Sequence, residues 1–88
     1  MSNIDWDKYS FLLSAKNRRK VLFALDEPKI PTELASMLGV NLSHVSRSLA
    51  ELSNKGIVEC LTPKSRVGKL YRRTKFGDEI STYLKNRK

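Results

Sequence analysis

Sulfur and imidazole are scarce in this chain: one cysteine, Cys60, and one histidine, His44, in 88 residues. A lone thiol closes no internal disulfide, so the expectation is a reducing, cytoplasmic compartment. No cluster of His, Cys, Asp and Glu stands at ligand spacing, and neither a metal ion nor a cofactor is expected. His44 has no nucleophile and orienting carboxylate at a motif spacing, so catalysis is not expected either. No apolar run approaches the ~20 residues of a membrane span. Residues Met1 to Asp7 carry neither the basic start nor the apolar stretch of a secretory signal. Repeats and low-complexity tracts are absent from the sequence. Acids are few, nine Asp and Glu against 17 Lys and Arg, leaving a net charge of +8. Such a surplus favours a polyanionic partner, nucleic acid or an anionic membrane surface. Length limits the chain to one domain, 1–88, whose core is sufficient but thin.

Apolar spacing and punctuation divide the rest. Trp6, Tyr9 and Leu12/Leu13 recur at helical spacing behind Asp5, a good N-cap, and predict a first helix within 1–13. Ser14 is expected to cap a second helix running to Leu25, with Arg18, Val21, Leu22 and Leu25 on one face. Asp26-Glu27-Pro28 ends it, and Lys29-Ile30 can add a brief strand to a later hairpin. Pro31 opens a third helix, Glu33 charges its first turn and Gly39 closes it. Asn41 is expected to cap a fourth helix, Leu42 to about Asn54, with Leu42, Val45, Leu49 and Leu52 as its apolar stripe. Ser43, Arg47, Ala50 and Asn54 point the other way, with His44, Ser46 and Glu51 on the flanks. Ile57–Leu61 and Leu70–Thr74 read as strands around a loop, 62–69, too long for a two-residue turn. Thr74 caps a last helix within 75–88, carrying Phe76, Ile80, Tyr83 and Leu84. The expected fold is mainly α with a small β-hairpin, in the order α-α-(β)-α-α-β-β-α.

Within 31–56 the spacing of Ala35, Gly39 and Val45 has a mechanical reason. Two short helices crossing steeply need a small side chain at the contact, a left-handed residue at the turn and an apolar anchor on the second helix. That is a helix-turn-helix. Six cations and no acid follow between Lys64 and Lys75, which suggests that the second helix is presented to a polyanion. A second basic cluster, Lys16, Arg18, Arg19 and Lys20, can reach flanking phosphates or decorate an exposed face.

Leu42 to Leu49, Glu51 to Val58 and Leu70 to Gly77 together resemble the winged helix-turn-helix DNA-binding regulators of the ArsR-like and MarR-like groups, bacterial and archaeal in type. The resemblance covers about residues 14 to 84. It implies a DNA-binding transcription regulator, with helix 42–54 in the major groove and a basic wing, 62–73, on the backbone or in the minor groove. Site residues are then Asn41, Ser43, His44, Ser46 and Arg47 on the helix, and Lys64, Arg66, Lys69 and Arg72 on the wing. Arg47 suits a bidentate contact to guanine O6 and N7, and Arg66 suits a narrow minor groove. Double-stranded DNA is the expected partner, and a homodimer through the N- and C-terminal helices is compatible with the apolar residues there. No small-molecule effector site is identifiable. Two alternatives stay open: a sequence-tolerant DNA or chromatin-binding protein, and a winged-helix module for protein or RNA.

Overall fold

The computed structural model describes residues 6–66 and 68–86. Five helices and one hairpin follow in order: α1 (Trp6–Leu13), α2 (Lys16–Ala24), α3 (Pro31–Leu38), α4 (Leu42–Asn54), β1 (Val58–Cys60), β2 (Tyr71–Arg73) and α5 (Lys75–Asn86). The expected order holds, with the brief strand expected at Lys29-Ile30 reduced to a single bridge at Lys29. Lys29 exchanges both backbone hydrogen bonds with Tyr71, at 3.0 and 2.9 Å, on the edge of β2 opposite β1. The hairpin is antiparallel with Val58 facing Arg73, Glu59 facing Arg72 and Cys60 facing Tyr71.

The core forms where α2, α3 and α4 meet. Leu22, Leu25, Leu34, Val45, Leu49, Leu52 and Ile57 are buried there, joined by Leu12 from α1 and Ile80 from α5. Each such side chain contributes roughly 1.5–3 kcal/mol of transfer free energy, which is how so small a domain holds together. Gly39 provides the turn between α3 and α4 at φ 64°, a region that costs other residues strain. Gly77 serves a different purpose. A Cβ at that position would collide with the Ile57 carbonyl, so its bare Cα lets α5 lie directly on the root of the hairpin. Thr74 caps this helix as expected, its hydroxyl accepting from the Gly77 N–H at 3.0 Å and donating to the Gly56 carbonyl at 2.7 Å.

Three local expectations need correction. Ser14 does not cap α2: its hydroxyl turns back to donate to the Phe11 carbonyl at 2.9 Å, and Ala15 takes the N-cap position. Asn41 occupies the N-cap of α4 but makes no side-chain capping bond. Leu42 lies outside the apolar stripe, at 46 % exposure, and Ser48 is buried in its place. The stripe runs Val45, Ser48, Leu49, Leu52, which is i, i+3, i+4, i+7, so the helix is rotated by less than one position from the expected face. Asp5, and the side chains of Trp6 and Tyr9, lie outside the described residues.

Candidate nucleic-acid interface

Burial of Val45, Leu49 and Leu52 against α2 and α3 turns the opposite face of α4 outward. Asn41, Ser43, His44, Ser46 and Arg47 are all exposed and gather at the N-terminal half of that helix. On one side, Leu42 and Ser46 look across a groove of about 400 Å³ towards Arg66, Gly68 and Lys69 of the hairpin loop. On the other, His44, Arg47 and Ser48 border a groove of about 330 Å³ whose far wall is the start of α2. The exposed face of α4 is therefore a ridge between two troughs.

The basic residues of the hairpin separate into two kinds. Lys64, Arg66 and Lys69 are exposed, with no acidic partner among the described residues. Arg72 stands on β2 with its Nε 2.8 Å from Glu59 Oε2 across the ladder, so its charge is largely spoken for. Arg73 points inward. Its Nη1 donates to Ser81 Oγ at 2.9 Å, and its stem packs where an apolar residue would otherwise sit. Its Nε lies 2.9 Å from Asp78 Oδ1 without aiming an N–H at it, a charge contact rather than a hydrogen bond.

The second cluster, on α2, is built differently again. Arg18 Nε donates to Glu51 Oε1 at 3.0 Å, its Nη1 donates to the Phe11 carbonyl at 2.8 Å, and its Cζ rests 3.7 Å from the centre of the Phe11 ring. Arg19 Nη1 donates to the carbonyls of Leu12 and Leu13, closing the C-terminus of α1. The hydrogen bond from Arg18 holds the Glu51 carboxyl below its ordinary range. Lys29 was read from sequence for its backbone alone, yet its ammonium donates to the Ala24 carbonyl at 2.8 Å and to Asp26 Oδ1 at 2.7 Å. It thereby caps α2 from below and fixes the bridge to Tyr71. Its position one residue after Pro28 and three after an aspartate was the available signal.

Among the described residues no group of three His, Cys, Asp or Glu side chains could hold a metal ion, and no helix is long and apolar enough to cross a membrane. Cys60 is half-buried on β1 beside Tyr71, whose phenol is pushed up mainly by burial.

A helix-turn-helix followed by a braced basic hairpin and a closing helix defines the winged helix-turn-helix class. The sequence model of the bacterial regulatory proteins of the arsR family matches residues 15–59, from the start of α2 into β1. The chain belongs to that family. Among solved structures it is similar to the reduced form of MarR from E. coli, at 33% identity and a TM-score of 0.72, over 86% of this chain and 58% of that one. A mutant of the same protein, complexed with operator DNA, matches at 31% identity and a TM-score of 0.71, over 88% and 57%. The transcriptional regulator Tm0710 from Thermotoga maritima shares the fold at 24% identity and a TM-score of 0.71, over 89% and 58%. The chain thus spans under two thirds of the length of these neighbours. No curated protein sequence matches.

Proposed function

We propose that this chain is a DNA-binding transcription regulator and not an enzyme, acting in the cytoplasm. Helix α4 enters the major groove, Arg47 reads a base edge, and Asn41, Ser43, His44 and Ser46 contact bases or phosphates around it. Lys64, Arg66 and Lys69 follow the backbone or the adjacent minor groove, while Arg72 assists from behind its pair with Glu59. The observation that carries this reading is the placement of exposed cations side by side, Arg47 on the ridge of α4 and Arg66 and Lys69 on the loop beside it. Family membership and the operator complex of a similar protein support it. A homodimer through α1 and α5 is part of the proposal. Leu13 and Tyr83, each 36 % exposed, offer apolar surface on these helices, and a twofold axis would space two α4 helices for a palindromic site.

Selection of bound duplexes from a random pool tests the reading. A recovered sequence motif supports a regulator, and Arg47→Ala is then expected to lower discrimination at one position by about 1–3 kcal/mol. Recovery of no motif despite tight binding would favour the sequence-tolerant alternative, to which the short side chains of Ser43, Ser46 and Ala50 lend themselves. Preference for structured RNA at matched salt would overturn both.

A further inference from the structure

Glu51 is the one acid on α4, and it stands a helical turn beyond Arg47. Positions four apart on a helix are neighbours, and both side chains line the groove of about 330 Å³ beside α2. A carboxylate so placed is a ready partner for that guanidinium and would compete with a base edge for its donors. The carboxylate is nevertheless engaged elsewhere. Its Oε1 accepts from Arg18 Nε at 3.0 Å. That hydrogen bond is the main force holding the carboxyl down, while Arg47 acts on it through charge alone. Arg18 is in turn fixed from several sides. Its Nη1 donates to the Phe11 carbonyl at 2.8 Å and to Ser14 Oγ at 3.2 Å, and its Cζ lies over the Phe11 ring. Only 18 % of its side chain is exposed, which leaves it little freedom to release Glu51. The same ring meets Lys55 Nζ, 5.4 Å from its centre, at the C-cap of α4.

We infer that Arg18 is a positioning residue for sequence reading: by holding Glu51, it keeps the neighbouring Arg47 free to meet a base. The inference rests on the base-reading role proposed for Arg47 above. Arg18 itself touches no DNA in this role. Without it, the Glu51 carboxylate turns back along α4 and pairs with Arg47. Guanine O6 and N7 take two donors from one guanidinium in a fixed fork, and a guanidinium already shared with a carboxylate no longer offers that fork freely. The wing cations keep their phosphates, so discrimination falls more than overall affinity. The pair that restrains Glu51 also ties α4 to α2 and, through Phe11, to α1. That accounts for an acid on a helix otherwise turned towards a polyanion.

The readout is the ratio of affinities for a selected duplex and for one changed at the base that Arg47 reads, measured in the cold, well below each variant's thermal midpoint. Arg18→Met keeps packing on the Phe11 ring and removes the hold on Glu51. It is expected to lower the ratio about threefold to tenfold, and to lower the midpoint as well. Adding Glu51→Gln should return the ratio to within about twofold of the natural chain while the midpoint stays down, a rescue that a purely structural role does not give. Glu51→Gln alone should leave the ratio unchanged, and Arg18→Lys, which keeps a cation beside Glu51, should largely retain it. In an Arg47→Ala background, Arg18→Met should have no further effect on the ratio. A loss that Glu51→Gln does not restore would make Arg18 a structural support only and overturn the inference. Equal losses on both duplexes, restored by Glu51→Gln, would mean that the freed carboxylate repels the DNA backbone, and would overturn it too. If Arg47→Ala itself leaves the ratio intact, the base-reading role falls and takes this inference with it.

Discussion

Two basic clusters look alike in the sequence and have different uses in the fold. Between Lys16 and Lys20, Arg18 and Arg19 spend their guanidinium groups on Glu51, on the Phe11 ring and on the last carbonyls of α1. Between Lys64 and Lys69, three cations stand exposed with no acid near them among the described residues. The first cluster joins helices, whereas the second is available to a partner. Charge density along the chain does not distinguish them. What does is whether a helix end or a carboxylate lies within reach of the side chain.

The largest expected effect is on the available cluster. Replacing Lys64, Arg66 and Lys69 together by alanine should weaken duplex binding roughly a hundredfold near 0.1 M salt. The salt slope should drop from about −5, expected for about six neutralised phosphates, to about −2.5. Thermal stability should scarcely move, since exposed substitutions stay within about 0.5 kcal/mol each. Anisotropy titrations over a salt series measure both numbers, and a large loss of stability with an unchanged slope would erase the contrast. Next comes Arg18→Ala, expected to cost about 1–2 kcal/mol of folding stability in a urea titration, because it removes the hydrogen bond to the Phe11 carbonyl and the contact with the Phe11 ring. Its salt slope should change by less than one. Glu59→Gln probes the intermediate case of Arg72. Freed from its pair, Arg72 should strengthen duplex binding about threefold, while stability changes by only about 0–1 kcal/mol, as for an exposed pair.

The smallest effect is on pH. Hydrogen bonding from Arg18 depresses the Glu51 carboxyl in the folded state, so the pair contributes stability above the unfolded pKa and loses it as pH falls through the folded value. Acid titration of folding should show this loss below about pH 4.5 in the natural chain, and Arg18→Ala should remove that portion of the slope. An identical acid limb in the variant would mean the pair is broken in solution.

Sequence punctuation located the elements well wherever a residue's backbone preference decides the matter. Pro31 begins α3, Gly39 ends it in the left-handed region, and Thr74 caps α5. It failed where two elements compete for one residue. Ser14 is an ordinary N-cap candidate, but the end of α1 takes its hydroxyl first, leaving Ala15 at the start of α2. Leu42 looked like core because it precedes Val45 by three, yet it lies at the first turn and lines the open groove beside the hairpin loop. Ser48 stands at i+3 from Val45, so helical spacing alone contained the signal, but a serine was read as surface. The inward turn of Arg73 was legible only as a polar residue on a face that should be buried. The outward residues of α4 were readable from spacing because a stripe of apolar side chains fixes its opposite.

Lys29 gives the hairpin stem a neighbour on its free edge, and Gly77 seats α5 against its base. Held on both sides, the stem behaves as a fixed bracket, and only the segment beyond Leu61 sets how far the arm extends. Lengthening or trimming 62–69 should therefore alter reach alone, leaving the angle of α4 as it was. Divergent members of such a lineage could exchange that tip as a module, trading one footprint on their target for another without rebuilding the body that carries it.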